Sequence, residues 1–471
     1  MRYISTRGQA PPVSFLDAVL NGMAPDGGLY VPESWPVLDA NGEYFTRHFS
    51  AVAGPVLAAF SSPDLLEKDA FGESPVRTLS DNAYGFVTGS RWHGAVAPLV
   101  QYMDRAWILE LFHGPSLSFK DIAMQLIGPL YERILKQRDE RITILCATSG
   151  DTGGAAVEAL KQRERIDLFV LTPNGRVSEV QRRFMTTSGA ANVNVVEVDG
   201  DFDACQGLVK AIFADPEFVR RARISAVNSI NWVRIVAQSI YYLTTSNTLA
   251  GGPVHFVVPT GNFGDAYSGW VAKMLGAPVD RIVLATNSND ILARALMTGR
   301  YQRGASKHTL SPAMDIQVAS NFERILFEAV GRDSETICAL YDELARTGGF
   351  DIPEAALTRL RADFDAADID DAETIEAMRR AWSSGSGLLV CPHTAVGLAA
   401  KLRARLHGPV VTLATAHPAK FPDTVERATG VRPQLPAKCA DLFEREEKFD
   451  SLPADVEAVK QYIRERSRAW R

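Results

Sequence analysis

Short apolar runs alternate with amphipathic stretches along the middle and the end of this 471-residue chain. Each apolar run ends in a loop rich in Gly, Ser, Thr or Asn, and most of these loops open into a segment with helical periodicity. Apolar strands that alternate with helices predict parallel α/β sheets, with sites at the carboxyl ends of the strands. The predicted strands are 142–147, 167–171, 193–198, 254–258, 281–285, 388–390 and 410–415, and the predicted helices include 155–160, 235–242, 265–275 and 395–402.

Two segments depart from this alternation. Residues 1 to about 95 are less regular and predict a separate N-terminal unit. Residues from about 330 to 385 are rich in charged side chains and predict helices. A chain of this length is also too long for one simple core, so we expect two or three domains.

Lys120 lies at the start of a predicted helix. Ser118 is the predicted N-cap, Asp121 occupies the third position, and Gly128-Pro129 is the predicted end. The helix dipole disfavours an ammonium group in the first turn, so the position suits a lysine that must become a neutral amine and attack an aldehyde. Apolar residues recur along one face of this helix at Phe119, Ile122, Ala123, Leu126 and Ile127.

Two loops between a strand and a helix could hold anions. Residues 260–264 (Thr-Gly-Asn-Phe-Gly) offer backbone N–H groups and a helix N-terminus to a phosphate, but lack the Walker A and GxGxxG patterns. Residues 148–153 (Thr-Ser-Gly-Asp-Thr-Gly) offer hydroxyls and amides to a carboxylate. Together with Lys120, the two loops suggest pyridoxal phosphate chemistry on an amino acid.

Composition excludes several other classes of function. Apolar residues make up 46% of the chain, charged residues 23%, and the formal net charge is −6, which gives no basis for binding nucleic acid or anionic membrane. No apolar run is long enough to span a bilayer, and residues 1–8 lack the apolar region of a signal peptide. The five scattered cysteines suit a reducing cytoplasm. No histidine pattern predicts a metal site, and the nearby Cys391 and His393 predict packing and a helix start.

Motifs in the same order along almost the whole chain resemble the bacterial and fungal threonine synthases, which are fold type II pyridoxal phosphate enzymes similar to the tryptophan synthase β subunit. The matching segments are Val13-Ser-Phe-Leu-Asp-Ala-Val19, Pro25-Asp-Gly-Gly-Leu-Tyr-Val31, Phe112-His-Gly-Pro with Phe119-Lys-Asp121, Ala147-Thr-Ser-Gly-Asp-Thr-Gly153, Asp199 to Gln206, Asn228-Ser-Ile-Asn231, Gly261-Asn-Phe-Gly-Asp265, Ala285-Thr-Asn287, Ala313-Met-Asp315 and Thr415 to Phe421.

The resemblance implies a fold and a division into domains. The fold is α/β, with a large and a small parallel-sheet domain and an N-terminal domain. The expected domains are an N-terminal domain (1–95), a large cofactor-binding domain (96–145 and 225–430, with the helical insertion at about 330–385), a small α/β domain (146–224) and a C-terminal helical extension (431–471).

The resemblance also implies a reaction, in which O-phospho-L-homoserine and water give L-threonine and inorganic phosphate. Lys120 is expected to form the Schiff base with the cofactor and to act as base and acid at Cα and Cβ. Thr415 is expected to face the pyridine nitrogen, and Asp151 to lie near the cofactor's phenolic oxygen. The cofactor phosphate is expected at Gly261, Asn262, Phe263, Gly264 and Asp265.

Substrate contacts are expected from six residues. Ser149 and Thr152 are candidates for the amino acid carboxylate. The candidates for the substrate phosphate are Lys420 and Arg234 as cations, with Ser116 and Asn231 as neutral donors. A solvated surface position remains an alternative for Lys420, and a surface salt bridge remains one for Arg234. We expect His113 to pack or to orient its loop rather than to transfer a proton.

Other functions remain open on the sequence. A serine/threonine dehydratase or a cysteine synthase would share the lysine and the phosphate loop, although neither needs an N-terminal unit. A noncatalytic phosphate-binding homologue is the alternative outside the enzymes. We expect a monomer rather than a homodimer, and a cytoplasmic location.

Overall fold

The computed structural model describes residues 1–38, 48–61, 63–67, 74–85, 92–249, 252–385 and 387–470. Its strands are β1 (Arg2–Ser5), β2 (Val13–Ser14), β3 (Tyr30–Pro32), β4 (Leu99–Met103), β5 (Ala106–Glu110), β6 (Ile142–Ala147), β7 (Ile166–Pro173), β8 (Val193–Asp199), β9 (Ile224–Ser225), β10 (Val254–Pro259), β11 (Val279–Thr286), β12 (Arg300–Gln302), β13 (Gly349–Asp351), β14 (Phe364–Asp368), β15 (Val410–Ala414) and β16 (Asp450–Pro453).

The helices complete the alternation predicted from the apolar runs. They are α1 (Phe15–Asn21), α2 (Phe49–Phe60), α3 (Pro75–Tyr84), α4 (Lys120–Arg138), α5 (Asp151–Leu160), α6 (Glu179–Thr186), α7 (Phe202–Phe213), α8 (Pro216–Ala222), α9 (Trp232–Thr248), α10 (Gly264–Met274), α11 (Ile291–Thr298), α12 (Phe322–Ala329), α13 (Ser334–Thr347), α14 (Glu354–Asp363), α15 (Asp371–Ser383), α16 (Pro392–Arg403), α17 (Pro422–Thr429) and α18 (Val456–Arg466). Short 3₁₀ helices cover Pro63–Leu65, Pro312–Met314, Pro418–Lys420 and Ala437–Phe443.

The described strands form two large sheets. One has six strands in the order β14-β11-β10-β15-β5-β4, parallel except for the antiparallel edge pair β4 and β5. The other has five parallel strands in the order β16-β8-β7-β6-β9. Every residue of β7 and β10 is buried, as expected for parallel strands covered by helices on both faces.

The segments that form the two sheets differ from the expected domains at three places. The strand β6 crosses the boundary expected at 145/146 and belongs to the five-stranded sheet. The helical insertion supplies β14 to the edge of the six-stranded sheet. The C-terminal segment is not helical throughout, because β16 pairs with β8, and α18 packs on the same sheet. The division into domains stays a prediction.

Two local predictions are wrong. The helix α4 has Phe119 at its N-cap, not Ser118, and it continues through Gly128-Pro129 to Arg138. Proline removes one helical hydrogen bond, but α4 is buried along most of its length, and the missing Cβ of Gly128 lets the Ala159 carbonyl of α5 approach.

The predicted strand at 388–390 is an irregular segment. Both edges of β15 are already paired, with β10 and β5, and β14 and β4 occupy the outer positions of the sheet. The apolar side chains of this segment pack on a core cluster beside the sheet instead.

Candidate active site

A cavity of about 970 Å³ lies where the carboxyl ends of the two parallel sheets meet. Its wall includes residues that directly follow β6, β9, β10 and β15. The N-terminal unit closes another side with Leu20 to Ala24, Pro25, Gly27 and Leu29. The structure therefore brings the two predicted anion loops and Lys120 to one chamber, where open α/β sheets bind their ligands.

Lys120 begins α4 and is buried, with its Nζ 3.4 Å from Asp151 Oδ2. Burial is the largest influence on its pKa and lowers it, while the Asp151 charge opposes this and the Arg234 and Lys420 charges add to it. The amine is thus easier to deprotonate than an ordinary lysine, as a nucleophile or a proton carrier requires.

Asp151 forms the centre of a buried charge cluster at the start of α5. Its Oδ1 accepts a hydrogen bond of 2.9 Å from Gln181 Nε2 and lies 2.7 Å from Lys420 Nζ. Burial alone raises the pKa of this carboxyl, but the Lys420 and Lys120 charges outweigh burial and hold it well below its usual range. Asp151 is therefore a carboxylate that fixes two ammonium groups.

Lys420 serves this cluster and does not line the described cavity wall. Its side chain is 1% exposed, and besides Asp151 its Nζ donates to the Ser116 carbonyl oxygen over 2.8 Å. The structure thus places the predicted phosphate cation as a counter-ion to Asp151. No surface position remains for it.

The loop 260–264 has the geometry of a phosphate cradle between β10 and α10. A Cβ at Gly261 would lie 3.0 Å from the Ala313 carbonyl oxygen and 3.1 Å from Met314 Cα, so the loop packs closely there. Phe263 has a φ of 64°, which turns the backbone into the first turn of α10. All five residues from Gly261 to Asp265 line the cavity, and their backbone fits an anion.

Asp265 makes an internal contact behind this loop. Its Oδ1 accepts hydrogen bonds from the hydroxyls of Tyr241 and Tyr242, and its Oδ2 has no partner among the described residues. Burial raises the pKa of Asp265 to about 6. Asp265 is therefore more easily protonated than an ordinary aspartate, and it stays mostly ionised at pH 7.

Arg234 and Gln238 line the same chamber from α9, and each has one donor that is unpartnered among the described residues. They lie four residues apart, on one helix face, and both line the cavity. Arg234 Nε and Gln238 Nε2 have no hydrogen-bond partner in the described structure. Burial lowers the pKa of Arg234 to about 10, so the guanidinium stays charged near neutral pH. Gln238 was not predicted, although its spacing from Arg234 could have indicated it.

The remaining cavity predictions concern Ser149, Thr152 and Thr415. All three line the chamber, Ser149 and Thr152 at the start of α5 and Thr415 at the end of β15. The 148–153 loop keeps its shape because Thr148 Oγ1 accepts the N–H groups of Gly150 and Gly153, each over 3.0 Å.

Two predicted substrate donors lie outside the described cavity wall. Ser116 Oγ donates to Asp121 Oδ1 over 2.7 Å, and its N–H donates to Asp121 Oδ2 over 2.8 Å. Burial raises the pKa of Asp121 to about 6. Ser116 thus shapes the loop before α4 and carries the carbonyl that Lys420 binds.

Asn231 holds the N-terminal unit in place. Its Nδ2 donates to the Val19 carbonyl oxygen over 2.9 Å, and its Oδ1 accepts the Val233 N–H as the N-cap of α9. These bonds use its amide, and they fix the end of α1 from which the cavity-lining loop 20–25 starts.

Two histidines complete the comparison. The Nε2 atom of His113 lies 2.7 Å from Glu110 Oε2, and His113 is outside the described cavity wall. His393 lies in the first turn of α16 and packs against Phe421, as its sequence context predicted, and it also lines the cavity.

The described residues contain neither a metal-binding cluster nor a membrane-spanning helix. They contain no group of three His, Cys, Asp or Glu side chains arranged to hold a metal ion. None of their helices has the length and hydropathy needed to cross a membrane.

Family profiles match three parts of the chain. The profile described as "Pyridoxal-phosphate dependent enzyme" matches residues 98–362, which is more than half of the chain. Those described as "Threonine synthase N terminus" and "Threonine synthase, C-terminal" match residues 2–74 and 394–463.

Individual proteins are similar over almost the full length. The threonine synthase of Pseudomonas aeruginosa is 44% identical over 98% of each chain. The crystal structure of the PLP-bound threonine synthase of Brucella melitensis has a TM-score of 0.92 and 46% identity, covering 99% of this chain and 100% of that one. The yeast threonine synthase structure has a TM-score of 0.91 and 36% identity, covering 99% and 98%.

We expect Lys420→Met to lower the stability of the folded chain by about 3–5 kcal/mol at pH 7, because it leaves a buried carboxylate with one partner fewer. Folding lowers the pKa of Asp151. The contribution of the ionised carboxylate to the free energy of unfolding is therefore fully present above about pH 4, and it is lost as the pH falls toward the pKa of the folded state. The difference from the unaltered chain should therefore shrink in acid. Urea unfolding at several pH values measures it.

The control for this prediction is Lys161→Met, which breaks a partly exposed pair with Glu158. It should cost less than about 1 kcal/mol. Adding Asp151→Asn to Lys420→Met should restore part of the loss. Equal losses for the two lysine variants would contradict the role of Lys420.

Proposed function

The chain belongs to the threonine synthase family of pyridoxal-phosphate dependent enzymes, and we propose that it converts O-phospho-L-homoserine and water to L-threonine and inorganic phosphate. The observation that carries the proposal is the buried Lys120 between two anion-binding loops in one cavity. The family profiles and the full-length relatives give this cavity its substrate class.

The residues present fit pyridoxal 5′-phosphate. The 261–265 backbone would hold its phosphate, Thr415 its pyridine nitrogen, and Lys120 its aldehyde carbon. Asp151 would lie on the side of its phenolic oxygen, with its charge balanced by Lys420. When bound, the cofactor stabilises the negative charge that forms as protons leave Cα and Cβ of the amino acid.

Lys120 moves these protons. It accepts a proton from Cα, and because its pKa is lowered, the ammonium form that results gives the proton up again more easily than an ordinary lysine. Loss of the second proton, from Cβ, expels phosphate from Cγ. A proton is then added at Cγ, the hydroxyl of water is added at Cβ, and Lys120 returns a proton to Cα, which gives the Cγ methyl and the Cβ hydroxyl of threonine.

Arg234 binds the substrate phosphate in this scheme. It is a buried cation that lines the chamber, and its Nε–H has no partner among the described residues. Charge-assisted bonds to phosphate are among the strongest that side chains make. Gln238 adds a neutral donor beside it. Ser149 and Thr152, at the N-terminal end of α5, hold the substrate carboxylate.

The sequence of steps requires control of water. Water must stay out until phosphate has left Cγ, and one molecule must then reach Cβ. The loop 20–25 covers the chamber from the N-terminal unit, and the contact between Asn231 and Val19 anchors it. We propose that the chain acts as a monomer, since the described residues of one chain line the chamber. We also propose a cytoplasmic location, because the five cysteines are free, as suits a reducing compartment.

The direct test is to supply O-phospho-L-homoserine to the cofactor-loaded protein and to quantify phosphate and threonine in the same sample. We expect equal amounts of both products. Phosphate with 2-oxobutanoate would instead indicate a dehydratase-like reaction, and no phosphate at all would contradict the proposal. Lys120→Ala should abolish turnover and the covalent, borohydride-trapped cofactor. Lys136→Ala, on the exposed end of the same helix, should retain both.

Arg234→Gln should reduce kcat/KM for O-phospho-L-homoserine by about 10- to 100-fold, because a charge-assisted bond to phosphate is lost. Inhibition by inorganic phosphate should weaken in parallel. The dissociation constant of pyridoxal phosphate should stay within about twofold. A large loss of cofactor affinity with unchanged phosphate inhibition would assign Arg234 to the cofactor phosphate instead.

A further inference from the structure

His393 is held in one orientation at the start of α16. Pro392 precedes it in the first turn, and Cys391 caps the helix through its Sγ, which accepts the Thr394 N–H. The His393 ring packs against Phe421 with 4.9 Å between the ring centroids, and the residue is only 3% exposed. Its ring nitrogens therefore face fixed surroundings.

One hydrogen bond determines which nitrogen carries the proton. The Ala313 N–H donates to His393 Nε2 over 3.2 Å, so Nε2 must be the unprotonated nitrogen. Burial lowers the pKa of His393 to about 4, and the ring is neutral near pH 7. Its single proton consequently lies on Nδ1.

This Nδ1–H has no partner among the described residues, although His393 lines the cavity with Lys120, Asp151 and Thr415. A buried donor without an acceptor is costly, and such donors are rare unless a ligand or water satisfies them. Because His393 lines the chamber, a ligand bound there can supply the missing acceptor. The neighbouring Ala313 carbonyl borders the phosphate cradle at Gly261, so His393 lies beside the space assigned to the cofactor.

We propose that His393 is a neutral hydrogen-bond donor of the active site, giving its Nδ1–H to an anionic oxygen of the bound cofactor or of the amino acid. It binds and orients that oxygen and carries no proton in the reaction. The inference rests on the proposed function for the identity of the ligands. The chemistry it requires is only an oxygen acceptor in the chamber.

Two substitutions separate this role from a structural one. In His393→Asn, the side-chain amide can replace the Nδ1–H donor, but the acceptor for the Ala313 N–H is lost. In His393→Gln, the longer side chain can replace the acceptor at Nε2, but the donor at the Nδ1 position is lost. If His393 only supported Ala313, the Gln variant would behave as the unaltered chain and the Asn variant would not.

We expect the opposite result, in which the Gln variant is impaired and the Asn variant is not. His393→Gln should weaken ligand binding by about 10- to 100-fold, whereas His393→Asn should stay within about threefold of the unaltered chain. The probes are pyridoxal phosphate binding to the apoprotein, followed by its absorbance, and a phosphonate analogue of the substrate binding to the loaded protein. A changed cofactor affinity and absorption maximum identify the cofactor as acceptor. A changed affinity for the phosphonate alone identifies the amino acid.

A second measurement uses the unaltered chain, in case a variant fails to fold. In protein labelled with ¹⁵N-histidine, the Nδ1 resonance of His393 should report a protonated Nδ1 and should shift when the probe binds. Wild-type turnover of O-phospho-L-homoserine tests the proposed function separately. Gln and Asn variants that both bind like the unaltered chain, or an Nδ1 signal unmoved by both probes, would overturn the inference.

Discussion

The Asp151 carboxylate lies buried between two lysine ammonium groups, and the arrangement of the site depends on that burial. A lone charge could not remain there, since desolvation of an unpaired carboxylate costs several kcal/mol or more. The three residues come from the starts of α4 and α5 and from the 3₁₀ helix Pro418–Lys420, so the cluster exists only in the folded chain. It gives Lys120 an anionic partner, and it holds Lys420 between Asp151 and the Ser116 carbonyl oxygen.

Chain connectivity explains why the remaining groups converge. Parallel strands deliver their carboxyl ends to one edge, and here the edges of two such sheets face a common chamber. The helices that start there offer backbone N–H groups to anions, while α9 supplies Arg234 and Gln238 from one face. The N-terminal unit closes the chamber through a loop that Asn231 anchors. A substrate that carries a carboxylate and a phosphate matches this distribution of donors.

The sequence predicted the elements whose position follows from connectivity. Lys120 at a helix start, Thr415 at a strand end and the loop 260–264 are of this kind, and all of them line the chamber. Side-chain direction was not predictable, because it depends on contacts between distant segments. Lys420 donates to the Ser116 carbonyl oxygen, 304 positions away in the sequence. His393 accepts a hydrogen bond from the Ala313 N–H, 80 positions away. Helix α4 continues through Gly128-Pro129 because its packing in the core outweighs the tendency of this pair to end a helix.

A crystal structure of the protein loaded with pyridoxal phosphate would show whether Lys120 is the residue that holds the cofactor. We expect continuous density from Lys120 Nζ to the cofactor, with the phosphate on the backbone of 261–264 and Asp151 still paired with Lys420. A cofactor bound elsewhere, or attached to another lysine while Lys120 keeps its contact with Asp151, would contradict this expectation.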